Sequence, residues 1–191
     1  YQESGSYTDE WGIGWQPCEY QTPYGTGFYT EVAEHPLADE RAVDSYRPPD
    51  PTRPELYADS EHLLASFKEE YYIVGVTVTT IFETAWALRG LSQLLIDMVT
   101  DPDLANRILE IPYRYHLAAA KRLVELGVDM IWTGDDIGSQ RGMMISPAHW
   151  RTYLKPRMAE FIAELKGINP DLKLAYHSDG DVGDIIPELI E

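Results

Sequence analysis

After residue 58 the sequence alternates short apolar runs with longer segments of helical periodicity. The runs are YYIVGVTV at 71–78, VDMIWT at 128–133 and LKLAYH at 172–177. This alternation is typical of parallel strands joined by right-handed crossovers, so the sequence predicts an α/β protein. The first run is apolar throughout, and we expect it to form a strand buried on both faces.

Periodicity does not distinguish a closed (β/α)8 barrel from an open doubly wound sheet. No G-x-G-x-x-G follows any of the predicted strands, so a dinucleotide-binding fold has no support from the sequence. The chain has 191 residues, of which 44% are hydrophobic, enough for one sizeable core. We therefore expect a single domain.

Residues 1–58 are rich in Tyr, Gly, Trp and Pro and lack helical periodicity. Within them, WGIGWQP and YGTGFYTEVA predict short strands or a hairpin, and RPPDPTRPE at 47–55 predicts a connector. The domain is thus divided into an irregular segment, 1–58, and repeated βα units, 59–191. The chain starts at Tyr1 and ends on the apolar DIIPELIE without a helix stop signal, so we expect it to be the central part of a longer protein.

The charge balance excludes some classes of partner. Fifteen Lys and Arg residues stand against 32 Asp and Glu, which gives a net charge of -17. Such a surface repels phosphate backbones and anionic lipid, so we expect neither nucleic-acid nor membrane binding. Cys18 is the only cysteine and no signal-peptide pattern opens the chain, which favours a cytoplasmic location.

Polar residues follow each of the three predicted strands. The first strand leads into TTIFETAWALRG, the second into GDDIGSQRG and the third into HSDGD. In parallel α/β folds the carboxyl ends of the strands form the active-site face, so these three segments should meet at one opening. The recurrence carries the prediction, because each segment alone would be a weak signal.

The GDD segment offers one aspartate to this opening. Asp135 and Asp136 are adjacent and point in opposite directions, so at most one of them faces the cavity. Arg141 follows five residues after Asp136 and is a candidate for substrate binding. The alternative is a turn that ends the strand, with Arg141 as the ion-pair partner.

The HSDG segment places His177 and Asp179 on the same side of the chain, because residues two apart in a strand share a face. Their side chains suit either a metal site or general acid–base catalysis. Zinc usually takes at least three protein ligands, and His149, His116 and Cys18 are further ligands only in principle. The alternative is a turn whose aspartate caps the next helix.

FETAWALRG adds Glu83 and Arg89, which either line the site or belong to the packing around Trp86. Near the start of the chain, YTDEWG contains Asp9, whose spacing alone indicates little. Glu83 and Arg89 are therefore candidates for substrate binding.

Four segments in order resemble the uroporphyrinogen decarboxylase superfamily. They are DEWG, FETAWALRG, GVDMIWTGDDIGSQRGMMISPAHWRTYLKPRM and LKLAYHSDGDVGDIIPELIE. The superfamily includes the decarboxylase and cobalamin-dependent methyltransferases that act on thiols. The resemblance implies a partial (β/α)8 barrel, or TIM barrel, that lacks both ends and has its mouth at the carboxyl ends of the strands.

The resemblance also implies roles for individual residues. His177 matches the histidine of a zinc-binding His-x-Cys motif in the methyltransferases, and Asp179 stands where that motif has cysteine. Asp136 matches an acidic position of the family, so Asp136, His177 and Asp179 are the implied catalytic residues, with His177 and Asp179 as metal ligands. Asp9 is the nearest match to the carboxylate with which the decarboxylase binds pyrrole N–H groups.

Three functions follow as hypotheses. The first is methyl transfer between a corrinoid and a substrate nucleophile, with zinc as a cofactor and a corrinoid protein as a partner. The second is decarboxylation of uroporphyrinogen III to coproporphyrinogen in porphyrin biosynthesis, which needs no metal or cofactor. The third is a non-catalytic, truncated remnant. The partner expected in the first two is a small-molecule substrate, and a homodimer is left open.

Overall fold

A computed structural model describes residues 5–190 of the protein. Its strands and helices are, in chain order, β1 (Tyr7–Thr8), β2 (Gly14–Thr22), β3 (Gly25–Glu34), α1 (Ala58–Phe67), β4 (Val74–Val78), α2 (Phe82–Arg89), α3 (Leu91–Thr100), α4 (Pro102–Leu126), β5 (Met130–Gly134), β6 (Gly138–Ser139), β7 (Gly142–Met143), α5 (Pro147–His149), α6 (Lys155–Ile168), β8 (Lys173–His177) and α7 (Ile186–Leu189). A π-helix, Trp150–Leu154, joins α5 to α6. Short 3-10 helices lie at Glu40–Ala42, Pro54–Leu56 and Gly183–Ile185.

The strands β4, β5 and β8 form a parallel sheet with β5 in the middle. Val78 pairs with Gly134, and Gly134 pairs with His177, so the three strands end at the same level. The helices between them make the crossovers that the alternating sequence predicts. The α/β prediction is confirmed, and the aligned carboxyl ends bring the polar segments of the sequence to one edge of the sheet.

The two faces of this sheet differ in their surroundings. Thr77 and Ile131 are buried on the face that α4 covers. On the opposite face, Val76 is 54% exposed and Trp132 is 42% exposed. The expectation that the first strand is buried on both faces is therefore wrong for the described residues. In a closed barrel the uncovered face points inwards, where a continuous apolar run also fits.

The longest helix, α4, begins and ends at sequence signals. The Asp101 side chain accepts a hydrogen bond from the Leu104 N–H, and Pro102 occupies the first turn. Gly127 ends the helix with a left-handed φ of 101°. Neither α4 nor any other helix within residues 5–190 is both long and apolar enough to cross a membrane.

A long hairpin precedes the βα units. β2 pairs antiparallel with β3 from Gly14 opposite Glu34 to the turn beyond Thr22, and β1 adds a short third strand beside Gly14. Near the turn, the Tyr20 ring covers Gly27 so closely that a Cβ there would lie 2.4 Å from the ring. The base of the hairpin carries Trp15, which places an aromatic side chain beside α2.

Candidate active site at the strand ends

The ends of β5 and β8 approach each other through a glycine. Gly134 has a φ of 152°, and a Cβ built on it would lie 2.0 Å from the carbonyl oxygen of His177. A side chain at this position would force the two strand ends apart. Glycine therefore allows the segment after β5 to lie against the segment after β8.

A cluster of three ligating side chains lies on these two segments. His177 Nε2 is 3.5 Å from Asp136 Oδ1 and 3.5 Å from Asp179 Oδ1. Asp136 Oδ1 also accepts a hydrogen bond of 2.7 Å from the Asp179 N–H, which ties the two segments together. The His177 ring contacts the Trp132 ring edge to face, with 6.0 Å between centroids. We call Asp136, His177 and Asp179 the strand-end cluster.

The donor set of the strand-end cluster fits a metal ion. One ligand atom from each of the three residues lies within 4.8 Å of the others. An imidazole nitrogen and two carboxylates are ordinary ligands of zinc and of harder divalent ions. Asp136 is thus the third candidate ligand, and the structure places the three alternatives elsewhere: His116 stacks on Trp11, His149 contacts Tyr153, and Cys18 lies in the hairpin.

The turn alternative for HSDG is met by a different residue. Asp181 Oδ1 accepts a hydrogen bond of 3.0 Å from the Gly183 N–H, at the start of the 3-10 helix that leads into α7. The Asp179 carboxyl instead lies beside His177 and is largely exposed. Asp181 therefore closes the turn, and Asp179 belongs to the strand-end cluster.

Glu83 connects the first strand end to this cluster. It lies in the first turn of α2, and its Oε2 accepts a hydrogen bond of 2.8 Å from the Asp136 N–H. Burial raises the pKa of the Glu83 carboxyl above its ordinary value, and the nearby Asp136 charge raises it further. The structure thus brings Glu83, Asp136, His177 and Asp179 together.

Asp135 is the residue that sequence reasoning did not assign. Its buried carboxylate accepts hydrogen bonds of 3.0 Å from the N–H groups of Ile81 and Glu83, at the start of α2. Burial raises the pKa of Asp135 to about 7, against the opposing effect of these N–H donors. The Glu83 N–H thus donates to Asp135, and the Glu83 carboxyl accepts from the N–H of Asp136. The signal was present, because two adjacent aspartates after a strand must face opposite sides.

Arg89, predicted to bind substrate, is not at the site. Its side chain is 4% exposed and forms an ion pair of 2.7 Å with Asp97 of α3. It also donates hydrogen bonds to the carbonyl oxygens of Leu37 and Ala38. The guanidinium is used to join α2, α3 and the segment after the hairpin. Arg141 is exposed in the turn between β6 and β7, and its side chain forms no ion pair with another described residue.

Asp9 lies in a cavity next to Glu83. Its carboxylate accepts hydrogen bonds from the N–H groups of Trp11 and Ile13 and from Trp15 Nε1, at 2.8 to 3.0 Å. The cavity has a volume of about 240 Å³. It is lined by Asp9, Trp11, Ile13, Trp15, Thr79, Glu83, Thr84, Trp86 and Ala87. We call it the tryptophan cavity.

Parallel strands with helical crossovers and a polar cluster at their carboxyl ends define an α/β protein of the barrel class. The family model of uroporphyrinogen decarboxylase (URO-D) matches residues 17–191, and the chain belongs to this family. The match covers most of the hairpin, the parallel sheet and the strand-end cluster. The superfamily resemblance seen in the four sequence segments is therefore confirmed.

Among solved structures, the chain is similar to a methyltransferase from Methanosarcina mazei, with 20% sequence identity and a TM-score of 0.62. The similarity covers 85% of this chain and 47% of the methyltransferase, so the chain spans about half the length of that protein. The three strands and their helices correspond to part of a TIM barrel. No protein with a curated description matches the chain.

Proposed function

We propose that the protein transfers a methyl group between a corrinoid and a substrate nucleophile, at a metal ion held by the strand-end cluster. The observation that carries this proposal is the position of Asp136, His177 and Asp179, whose ligand atoms lie within 4.8 Å of one another at the strand ends. The similarity to a methyltransferase supports the same reaction class.

Asp136, His177 and Asp179 would hold the metal, which, when bound, supplies the Lewis acidity that lowers the pKa of a coordinated nucleophile. Aspartate at position 179 makes the donor set harder than a set with cysteine, so oxygen nucleophiles suit it as well as thiols. Zinc is the cofactor we propose. A corrinoid protein is the partner that would present the methyl donor.

The other residues of the site orient this cluster. Glu83 Oε2 accepts a hydrogen bond from the Asp136 N–H, and the Asp135 carboxyl accepts one from the Glu83 N–H at the start of α2. The two bonds together fix the backbone that carries the Asp136 carboxyl. The Trp132 ring restricts the His177 ring from the sheet face. When bound, the corrinoid would supply the methyl group, and the substrate nucleophile would release its proton to solvent.

Decarboxylation of uroporphyrinogen is the second candidate, and the charge around the site disfavours it. Uroporphyrinogen carries eight carboxylates and needs several cations to bind. The described part of the site instead presents the carboxyl groups of Asp9, Glu83, Asp136 and Asp179. Arg89 is already paired with Asp97. The local charge therefore favours methyl transfer over binding of a polyanion.

The test is an activity and metal assay on the full chain. We expect the protein to contain a stoichiometric divalent ion and to transfer the methyl group of methylcobalamin to a thiol or alcohol. The absorbance change of the released corrinoid measures the transfer. His177→Ala should lower metal affinity and methyl transfer by about 100-fold or more. Asp171→Asn, which removes one exposed carboxylate at the opposite end of β8, is the matched control and should change neither.

Two results would contradict the proposal. One is the absence of both bound metal and methyl transfer, which would favour the non-catalytic alternative. The other is conversion of uroporphyrinogen III to coproporphyrinogen by a metal-free preparation, which would favour the decarboxylase.

A further inference from the structure

We propose that the tryptophan cavity binds the ammonium group of an organic cation, and that the substrate belongs to the class of methylated or protonated amines. The cavity lies between the segment at the base of the hairpin and α2. As a statement about the substrate, this inference rests on the proposed function. As a statement about binding, it rests only on the cavity.

The walls of the cavity suit a cation. Three tryptophans, Trp11, Trp15 and Trp86, line a volume of about 240 Å³. Trp15 is fixed in place because its Nε1 donates a hydrogen bond of 2.8 Å to Asp9 Oδ2. Tryptophan is the side chain that attracts cations most strongly through its ring, and aromatic cages of this kind recognise quaternary ammonium groups.

The charged residues of the cavity also favour a positively charged ligand. Asp9 and Glu83 contribute carboxylates, and neither Lys nor Arg lines this cavity. Asp9 is surrounded by N–H donors of the protein, whereas Glu83 is half buried and, among residues 5–190, has one such donor, the Asp136 N–H. A bound cation would pair with the Glu83 carboxylate, which no Lys or Arg of the cavity wall does.

The cavity adjoins the strand-end cluster. Glu83 lines the cavity and also accepts the Asp136 N–H at 2.8 Å, so one side chain belongs to both places. A substrate whose ammonium group occupies the tryptophan cavity would have the rest of its chain beside Asp136. This placement selects a small molecule with a cationic head and a nucleophilic group, such as an amino alcohol or amino thiol.

The test compares a cation with its neutral carbon isostere. Choline, tetramethylammonium and 3,3-dimethylbutan-1-ol are titrated into the full chain by isothermal calorimetry. We expect choline to bind about tenfold or more tightly than the neutral alcohol, because only the cation gains from the rings and the carboxylate. Equal affinity for choline and the alcohol would overturn the inference.

Two variants locate the binding. Glu83→Gln preserves the shape of the side chain and should weaken choline binding by about tenfold, with little effect on the neutral alcohol. Glu69→Gln removes the same charge from an exposed position outside the cavity and should leave choline binding unchanged. An unchanged affinity in Glu83→Gln would overturn the assignment to this cavity. Circular dichroism of both variants checks that each is folded.

The two proposals fail in different ways. Choline binding with the expected selectivity but no methyl transfer would support the cation site and contradict the proposed reaction. Methyl transfer to a thiol or alcohol without preference for choline over its neutral isostere would support the reaction and overturn the cation site.

Discussion

Asp135 and Asp136 are neighbours in the chain, but their surroundings give them different roles. Asp135 is buried and accepts N–H groups at the start of α2, whereas the Asp136 carboxyl faces His177 across 3.5 Å. The alternation of side chains along a strand requires this division. It does not say which aspartate turns inwards, because that depends on where α2 begins.

Gly134 provides a test at the residue scale. Gly134→Ala would place a Cβ within 2.0 Å of the His177 carbonyl oxygen, so we expect it to lower the free energy of unfolding by about 2 kcal/mol and to weaken metal binding. Gly167→Ala is the matched control, because nothing lies within 4 Å of its Cβ. That helical substitution should raise stability by about 0.5–1 kcal/mol. Equal stability of the two variants would show that the strand ends do not touch as described.

His116 provides a second test, of pH dependence. Burial lowers its pKa from 6.5 to about 4, and its Nε2 has no hydrogen-bond partner among the described residues. The unfolded chain therefore takes up this proton first, and stability should fall by up to about 3 kcal/mol as the pH falls from about 6.5 to 4.

The comparison with His116→Phe isolates this effect. The phenyl ring can keep the stacking on Trp11 but cannot take up a proton. The raised pKa of Asp135 acts in the opposite direction, since the folded state keeps that proton to a higher pH, but it is present in both proteins. Denaturant unfolding from pH 7 to 4 should show a smaller loss in the variant. Parallel curves would mean that His116 is not desolvated.

At the scale of elements, the order of strands and helices could be predicted from the sequence. Apolar runs and helical stripes indicate β4, β5, β8 and α4, and the parallel direction of the strands brings their polar ends to one edge. The contacts that depend on packing could not be predicted. Arg89 is an example, because the sequence shows a charged residue after a strand but not the burial of Asp97 beside it.

The pair of Arg89 and Asp97 gives the test at this scale. Arg89→Met would leave the Asp97 charge buried without a partner, and we expect a loss of about 3–5 kcal/mol in the free energy of unfolding. Arg41→Met is the control: the Arg41 side chain is 86% exposed in its ion pair with Asp39, so this change should leave the free energy of unfolding nearly unchanged. Urea unfolding measures both. A loss below about 1 kcal/mol for Arg89→Met would contradict the structural role.

At the scale of the whole molecule, the exposed face of the parallel sheet corresponds to the inner face of a closed barrel. Val76 and Trp132 are exposed on the face that a closed barrel turns inwards. The chain also spans about half the length of the methyltransferase it resembles, at 47%. An apolar strand has the same sequence pattern whether its second face packs against helices or lines a barrel interior. The sequence pattern alone therefore did not identify the exposed face of Val76 and Trp132.

The most direct measurement is anomalous diffraction at the zinc edge from crystals of the full chain grown with Zn²⁺. We expect one zinc ion bound by His177 Nε2 and the carboxylates of Asp136 and Asp179, at about 2.0–2.2 Å. Crystals in which these side chains diverge to separate sides of the molecule, or in which zinc binds elsewhere and leaves His177 without a metal, would contradict it.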